Sequence, residues 1–157
     1  ESLLLQQLQT FNPAETVWLE SESNKIGQVY LPQSFWEKMK QASCVEIHLP
    51  IAQRVQFLLQ EYPHLTTHPD ILKAKLEKLK SRYGKEKLSE WYQLIDAQKW
   101  ELFVQDMLQF HYDPTYSKSM KRDFTKVERS LSIPDLSNTS LDTLLDSLLP
   151  NQVTANL

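Results

Sequence analysis

Two carboxylates and two hydroxyls alternate directly behind a short apolar run, in the segment TVWLESESNKIG (residues 16–27). An acidic side chain at the carboxyl end of a buried parallel strand can hold a magnesium ion or orient a water beside a phosphate. The pattern therefore offers Glu20 and Glu22 for chemistry at a phosphate. It is unspecific, because apolar residues followed by an acid are common, and a capped polar turn on a solvated surface is the alternative.

The glycine-rich loop that normally accompanies such a strand is absent from this sequence. The G-x-x-x-x-G-K-[ST] loop cradles phosphates with backbone N–H groups and needs two nearby glycines. The chain contains only two glycines, Gly27 and Gly84, and the latter is followed by Lys85-Glu86 without a hydroxyl residue. We conclude that this sequence cannot bind a nucleotide through such a loop by itself.

The histidines and the cysteine do not form a recognisable catalytic or metal-binding set. His64 and His68 are four residues apart, but Pro63 and Pro69 bracket them, so we expect loop histidines rather than ligands on one helical face. Cys44 is the only cysteine, which excludes an intramolecular disulfide, and we expect a buried, inert thiol. No metal site is predicted.

The charge of the chain is close to balanced but unevenly distributed. The net charge of −3 predicts no unspecific attraction to nucleic acid or membranes. Residues 1–23 carry four acidic side chains and no Lys or Arg, whereas residues 71–90 carry seven basic and three acidic side chains. If the protein binds RNA, we expect this basic segment to contact the RNA backbone. The alternative is that it is only a solvated helix face. The candidate RNA contacts there are Lys73, Lys75, Lys78, Lys80 and Arg82, and residues 117–129 form a second basic segment.

Hydrophobic periodicity predicts an α/β fold. Residues 16–20 and 44–49 are short apolar segments that predict two buried strands, and helical patterns lie before, between and after them. This alternation predicts a parallel sheet with crossover helices. A sheet of two strands is too narrow to be stable alone, and the chain begins without Met inside a helical pattern. We therefore expect a segment of a longer α/β domain. No apolar run reaches the roughly 18 residues of a membrane span, so we expect a soluble, cytoplasmic protein.

Three regions are predicted along the chain. Residues 1–65 form the partial α/β domain, and residues 66–129 form a mainly helical extension whose leucine and aromatic stripes predict a core. Residues 130–157 are rich in Ser, Thr, Asp and Asn, and LDTLLDSLLP is predicted to form a short amphipathic helix. We expect this polar tail to be partly disordered or to dock elsewhere.

Four stretches together resemble the C-terminal part of tRNA 2-selenouridine synthases. They are, in order, VWLESESNKIGQVYLP, RVQFLLQEY, LIDAQKWELFVQDML and HYDPTY. The family is similar in plan to a rhodanese domain followed by a P-loop domain. It exchanges the sulfur of wobble 2-thiouridine in tRNA for selenium through a geranylated intermediate. The resemblance implies a partial P-loop-type sheet here, with the phosphate loop and the rhodanese cysteine expected upstream of Glu1.

The resemblance also implies roles for individual residues. Glu20 and Glu22 become candidate catalytic residues at the acidic edge of a phosphate crevice. The candidate phosphate contacts are Ser21, Ser23, Gly27 and Arg54. A helix cap remains the alternative for the serines, and a structural salt bridge remains the alternative for Arg54. Tyr112 and Tyr116 either contact RNA or fasten the helical extension to the core.

The resemblance implies partners as well. Selenophosphate and geranyl diphosphate would be the donors in the parent protein, with Mg²⁺ as a candidate metal, and tRNA would be the substrate. We expect no cofactor in this segment alone, no membrane partner, and no activity without the upstream segments. The sequence is thus interpreted as part of a tRNA-modifying selenotransferase. The alternative is a non-catalytic helical module that binds RNA or protein.

Overall fold

The computed structural model describes residues 2–149. Its helices and strands are, in chain order, α1 (Ser2–Thr10), β1 (Lys25–Ile26), β2 (Val29–Tyr30), α2 (Gln33–Gln41), β3 (Cys44–His48), α3 (Ile51–Glu61), α4 (His64–Thr67), α5 (Pro69–Leu76), α6 (Lys80–Asp96), α7 (Trp100–Met107), α8 (Asp113–Asp123), β4 (Val127–Ser132) and α9 (Asn138–Leu148). A 3₁₀ turn, Glu77–Leu79, precedes α6, and a π-helical segment, Leu108–Tyr112, joins α7 to α8. No helix within the described residues is long and apolar enough to cross a membrane.

The chain forms two compact units from interleaved segments. The first unit consists of the described residues up to Cys44 together with Tyr116–Glu128, and the second consists of Val45–Thr115 and the described residues from Arg129 onward. The boundaries predicted at residues 65 and 129 stay predictions. Of the predicted tail, residues 150–157 lie outside the described part, and α9 covers most of LDTLLDSLLP.

The first unit has a small core in which α2 is buried on one face. Trp36 and Met39, three residues apart on α2, are both buried, as is Phe124. The rings of Trp36 and Phe124 meet edge to face, with 5.4 Å between their centroids. Leu31 and Met120 pack around this cluster. Cys44 is only partly buried, and its sulfur lies 3.9 Å from the carbonyl oxygen of Ala42.

The second unit has the larger core, which the helical stripes of the sequence predict. Its α6 places Leu88, Trp91 and Ile95 on one buried face, because positions three and four residues apart share a side of a helix. The buried members of this core are Val55, Leu76, Leu88, Trp91, Ile95, Phe103, Val104 and Leu108. Burial of each such side chain contributes about 1.5–3 kcal/mol.

The α/β class is confirmed, with β3 and β4 forming a small two-stranded sheet. The backbone N–H of Cys44 donates to Lys126 (2.8 Å), and that of Ile133 donates to His48 (3.0 Å). Residue numbers therefore rise in the same direction on both strands, which makes the sheet parallel with a helical crossover. The predicted strand at 44–49 is confirmed as β3. Its partner β4, VERSLS, was missed because polar residues interrupt its apolar positions.

The predicted strand at 16–20 is wrong. These residues form no regular structure, and Val17, Trp18 and Leu19 expose 41%, 49% and 50% of their surface. A strand needs a neighbour to satisfy its backbone hydrogen bonds, and no strand of the described residues pairs with this segment. Apolar composition alone therefore misidentified an exposed extended segment as a buried strand.

Two residues with positive φ shape α6, one inside the helix and one just after its end. Gly84, at φ 79° and ψ 172°, interrupts the helix in a region that is open almost only to glycine. Gln98 has φ 54°, and the N–H groups of Ala97, Gln98 and Lys99 donate back to the last turn of α6. Gln98 thus occupies the left-handed position of a Schellman cap, where glycine is the usual residue.

We expect opposite stability changes at these two positions. Gly84→Ala should lower the free energy of unfolding by about 1–3 kcal/mol, because the added Cβ disfavours this backbone conformation. Gln98→Gly should raise it by about 0.5–1 kcal/mol, since the relieved strain exceeds the entropic cost of glycine. Urea unfolding measures both changes. As a control, Gln93→Gly on exposed helical backbone should lower it by about 1 kcal/mol. A destabilising Gln98→Gly would contradict this cap.

Helix α9 begins at a carboxylate-centred cap. One oxygen of Asp135 accepts hydrogen bonds from the Ser137 backbone N–H (2.9 Å) and from the hydroxyls of Ser137 and Ser140 (2.6 Å each). The Ser137 hydroxyl in turn accepts from the Ser140 N–H (3.3 Å). The hydrogen bonds from Ser137 and then Ser140 lower the pKa of Asp135 to about 2.

This cap should respond to acid. Because the folded pKa of Asp135 lies below its ordinary value, its contribution to stability is complete above about pH 4 and is lost as the pH falls toward 2. Side-chain NMR titration of Asp135 should show a midpoint near 2. Asp135→Asn keeps an acceptor oxygen but cannot titrate, so the pH dependence of α9 stability in this range should weaken. A midpoint near the ordinary Asp value would disprove the cap.

Candidate functional site

The ESES segment is a polar turn in which side chains accept hydrogen bonds from the backbone. A carboxylate oxygen of Glu20 accepts the backbone N–H of Glu22, and the Ser23 hydroxyl accepts the N–H two residues further on at 3.0 Å. The Ser21 hydroxyl lies 4.0 Å from the sulfur of Met120. Glu20, Glu22 and Ser23 are exposed. The structure thus contains the capped turn, with both carboxylates facing solvent.

The turn leads into a two-stranded hairpin that depends on Gly27. Strands β1 and β2 pair Lys25 with Tyr30 and Ile26 with Val29, so only Gly27 and Gln28 connect them. Gly27 has φ +60°, as the first central position of a type II′ turn requires. No atom lies within 4 Å of the place where a Cβ would stand. Glycine is needed here for the turn itself and not for close packing.

The chemistry of the turn suits a cation better than an anion. Glu20 and Glu22 offer acceptor oxygens only, whereas a phosphate needs donors. Mg²⁺ beside a phosphate is commonly held by one or two carboxylates plus water. Within residues 2–149 no group of three or more His, Cys, Asp or Glu side chains is arranged to hold a metal.

Arg54, the fourth candidate phosphate contact, makes a two-pronged salt bridge with Asp113. Its two terminal nitrogens donate to the two carboxylate oxygens at 3.0 and 2.6 Å. The side chains are 34% and 40% exposed. The pair connects α3 to the first residue of α8, and thereby joins the stretches RVQFLLQEY and HYDPTY. The structural salt bridge considered for Arg54 is therefore present.

Three lysines of the basic segment 71–90 are neutralised by carboxylates. Lys73 pairs with Asp96, and Lys80 pairs with Glu77 at 2.8 Å. The hydrogen bond from Lys80, followed by that from Tyr92, lowers the pKa of Glu77. Lys87 contacts two carboxylates, Asp106 at 2.7 Å and Glu90 at 3.0 Å.

The remaining positive charges of this segment have no such partners. Among the described residues no carboxylate forms an ion pair with Lys75, Lys78, Arg82 or Lys85. Arg82 donates instead to the Thr115 hydroxyl at 3.0 Å. The structure thus divides the predicted RNA contacts into paired side chains, Lys73 and Lys80, and unpaired ones, Lys75, Lys78 and Arg82.

The two candidate tyrosines lie in different units. Tyr112 ends the π-helical segment of the second unit and is 59% exposed, whereas Tyr116 belongs to the first unit and is 47% exposed. π-Helical turns are rare and are frequent at functional sites. Sequence reasoning missed this turn and also the hydrogen bond between the Tyr83 hydroxyl and His111. The stretch HYDPTY, which begins at His111, was the only signal for it.

His64 and His68 were expected to be loop residues, but the structure places a short helix between the flanking prolines. His64 begins α4, His68 follows that helix, and both line one cavity of about 240 Å³. The other lining residues are Leu65, Ile71, Leu72 and Lys75. The two imidazoles are exposed at its rim, and the cavity floor is apolar.

Comparison with known proteins identifies the family. The chain is an α/β protein, and its residues 1–135 match the family model described as the tRNA 2-selenouridine synthase AAA domain. The chain therefore belongs to the tRNA 2-selenouridine synthase family. The resemblance to this family is confirmed. No solved structure is similar enough to count as a match.

Curated relatives agree with this assignment. The chain is similar to tRNA 2-selenouridine synthases of Shewanella loihica (26% identity over 142 residues) and Shewanella piezotolerans (26% over 144 residues). The aligned parts cover 74% and 75% of this chain but only 38% and 39% of the relatives. A third synthase, from Nitrosomonas europaea, is 34% identical over 58 residues, which is 37% of this chain and 15% of that protein. The chain thus spans well under half the length of these relatives.

The Arg54–Asp113 pair should contribute measurable but modest stability. In a double-mutant cycle of Arg54→Met and Asp113→Asn, we expect a coupling free energy of about 0.5–1 kcal/mol, at the upper end for exposed pairs because two hydrogen bonds form. Urea unfolding of the four proteins gives this value. The single-contact pair Lys80–Glu77 is the matched control and should couple more weakly. Equal coupling in both pairs would contradict the two-pronged geometry.

Proposed function

We propose that the chain takes part in synthesis of 2-selenouridine in tRNA, in which selenium replaces the sulfur of wobble 2-thiouridine. The reaction would pass through a geranylated intermediate, with geranyl diphosphate and then selenophosphate as donors. The observation that supports this function is the family match over residues 1–135. The relatives that carry the name are enzymes much longer than this chain, so the whole reaction is proposed for the protein that contains it.

Glu20 and Glu22 are proposed to act at the phosphate of a donor. As exposed acceptors they would hold Mg²⁺, which supplies positive charge against a leaving diphosphate. Ser21 has only a weak sulfur acceptor nearby, so its hydroxyl is available to a phosphate oxygen. Ser23 and Gly27 would keep the turn in shape. Their hydrogen bond and backbone geometry support that role.

With the two donors that now face Asp113, Arg54 would contact a phosphate by exchanging partners. Its donors toward Asp113 are in use, and a phosphate presents the same kind of paired oxygens to a guanidinium. We therefore propose Arg54 as a phosphate contact that is held in place by Asp113 until the donor binds.

tRNA is the proposed macromolecular partner, and the unpaired basic side chains are its proposed backbone contacts. Lys75, Lys78 and Arg82 have charge available for phosphates, whereas Lys73 and Lys80 would first have to leave a carboxylate. We therefore expect the first three to dominate RNA affinity.

Nucleoside mass spectrometry tests the function directly. Deletion of the gene that encodes this chain should abolish selenouridine in bulk tRNA, and reintroduction of the gene should restore it. Accumulation of 2-thiouridine or its geranylated form would locate the block. Undiminished selenouridine after deletion would reject the proposed function and favour the alternative of a non-catalytic RNA- or protein-binding module.

Two substitutions test the proposed role of Glu20. They distinguish loss of its negative charge from loss of its hydrogen bond in the turn. Glu20→Gln keeps an oxygen that accepts the Glu22 N–H, whereas Glu20→Ala removes it. Both variants, in the complete gene product, should reduce selenouridine formation by at least about tenfold, as expected for a lost metal contact, and both should remain folded. Glu15→Gln, another exposed carboxylate outside the turn, is the control and should be fully active. Normal activity of Glu20→Gln would assign Glu20 a purely structural role.

A further inference from the structure

An exposed tyrosine at the end of the π-helical segment is held by a chain of aromatic contacts. The ring of Tyr112 meets that of His111 edge to face at 5.2 Å, and His111 meets Tyr83 at 5.7 Å. Tyr83 in turn contacts the fully buried Trp91 at 5.4 Å. Tyr112 nevertheless exposes 59% of its surface. The Tyr112 ring therefore packs against His111 and remains exposed to solvent.

Hydrogen bonds fix the same segment. The Tyr83 hydroxyl lies 2.9 Å from Nδ1 of His111 and 3.1 Å from the carbonyl oxygen of Phe110. The Thr115 hydroxyl donates to the His111 carbonyl oxygen at 2.6 Å. These bonds restrain the π-helical turn from both sides of His111. Little conformational entropy remains to be lost when a ligand stacks on Tyr112.

Arg82, which forms no ion pair with a carboxylate of the described residues, contacts two side chains close to this segment. Arg82 donates to Thr115 at 3.0 Å, and its guanidinium lies 5.3 Å from the centre of the Tyr83 ring. Burial, and then the charge of Arg82, lowers the pKa of His111. Arg82 thus places a cation next to Thr115, which lies three residues after Tyr112 in the sequence.

We propose that Tyr112 and Arg82 form a binding position for one unpaired nucleotide of RNA. The base stacks on the Tyr112 ring, and the Arg82 guanidinium contacts an adjacent phosphate. Aromatic stacking requires a base that is free of its duplex partner, and a neighbouring cation is the usual companion of such a surface. The identity of the RNA as tRNA rests on the proposed function.

The neighbouring Phe110 is a different case. It is 52% exposed, but the Lys87 ammonium lies 4.1 Å from its ring centre, and two carboxylates hold that lysine. Phe110 is thus already engaged on one side, next to a neutralised charge. The binding position includes Tyr112 and not Phe110.

Direct binding measurements test this position. The probes are an RNA hairpin with a single-stranded loop and the same sequence closed into a continuous duplex. Tyr112→Ala should weaken hairpin binding by about 5- to 100-fold and leave duplex binding unchanged, while Tyr112→Phe should bind like the unmodified protein. Tyr62→Ala, which removes another half-exposed tyrosine of the second unit, is the matched control and should have no effect.

Salt dependence tests the charged half of the position. Arg82→Gln should reduce the slope of log affinity against log salt concentration by about 0.7 for single-stranded RNA. Lys80→Gln, whose ammonium already pairs with Glu77, should change the slope less. Circular dichroism spectra of all variants should match, because the substituted side chains are exposed.

Three outcomes would overturn the proposal: hairpin binding that survives Tyr112→Ala, a preference for the duplex, or absence of hairpin binding by the unmodified protein. In the last case Tyr112 would be assigned to a protein partner. The deletion experiment is independent of these results. If selenouridine disappears on deletion but hairpin binding ignores Tyr112, the binding position fails and the proposed function stands.

Discussion

The buried indole of Trp91 is the constraint on which the second unit depends. Its N–H donates to Asp106 at 2.5 Å, and an unpaired buried donor would cost about 1–3 kcal/mol. Asp106 must stay in place to accept this hydrogen bond, and the Lys87 ammonium lies 2.7 Å from its carboxylate. Burial opposes the charge of Lys87, but the hydrogen bonds to Asp106 and Glu90 outweigh it and raise the Lys87 pKa. Because Tyr83 packs on Trp91, the position of the π-helical segment follows from this arrangement.

Local periodicity explains which parts of this unit were predictable. Leu88, Trp91 and Ile95 lie on one helical face whatever surrounds them, so their burial follows from spacing. The short apolar segment 16–20 cannot be predicted from local spacing in this way, because a strand forms only when a neighbouring strand pairs with it. Spacing rules do not predict the π-helical turn either. It depends on Tyr83, which lies 28 residues before His111 in the sequence.

The charge distribution shows the same division between local and distant effects. Pairs three residues apart, such as Glu77 with Lys80, can be anticipated from helical spacing. The partner of Lys73 is Asp96, 23 residues further along, and a count over residues 71–90 cannot include it. The basic segment is therefore less positive than its composition suggests. Its unpaired charge is concentrated at Lys75, Lys78, Arg82 and Lys85.

The two roles considered for Arg54 are physically compatible because its salt bridge is half exposed. If the pair were buried, loss of Arg54 would leave the Asp113 carboxylate charged, buried and unpaired, at a cost of several kcal/mol. Exchange of Asp113 for a phosphate would then be too unfavourable. Asp113 is 40% exposed, so water can solvate it after release, and the loss is limited to the modest coupling of a surface pair. A phosphate, with more charge and the same oxygen geometry, competes well for the guanidinium. The same salt bridge can thus position Arg54 without preventing the exchange that is proposed for a phosphate.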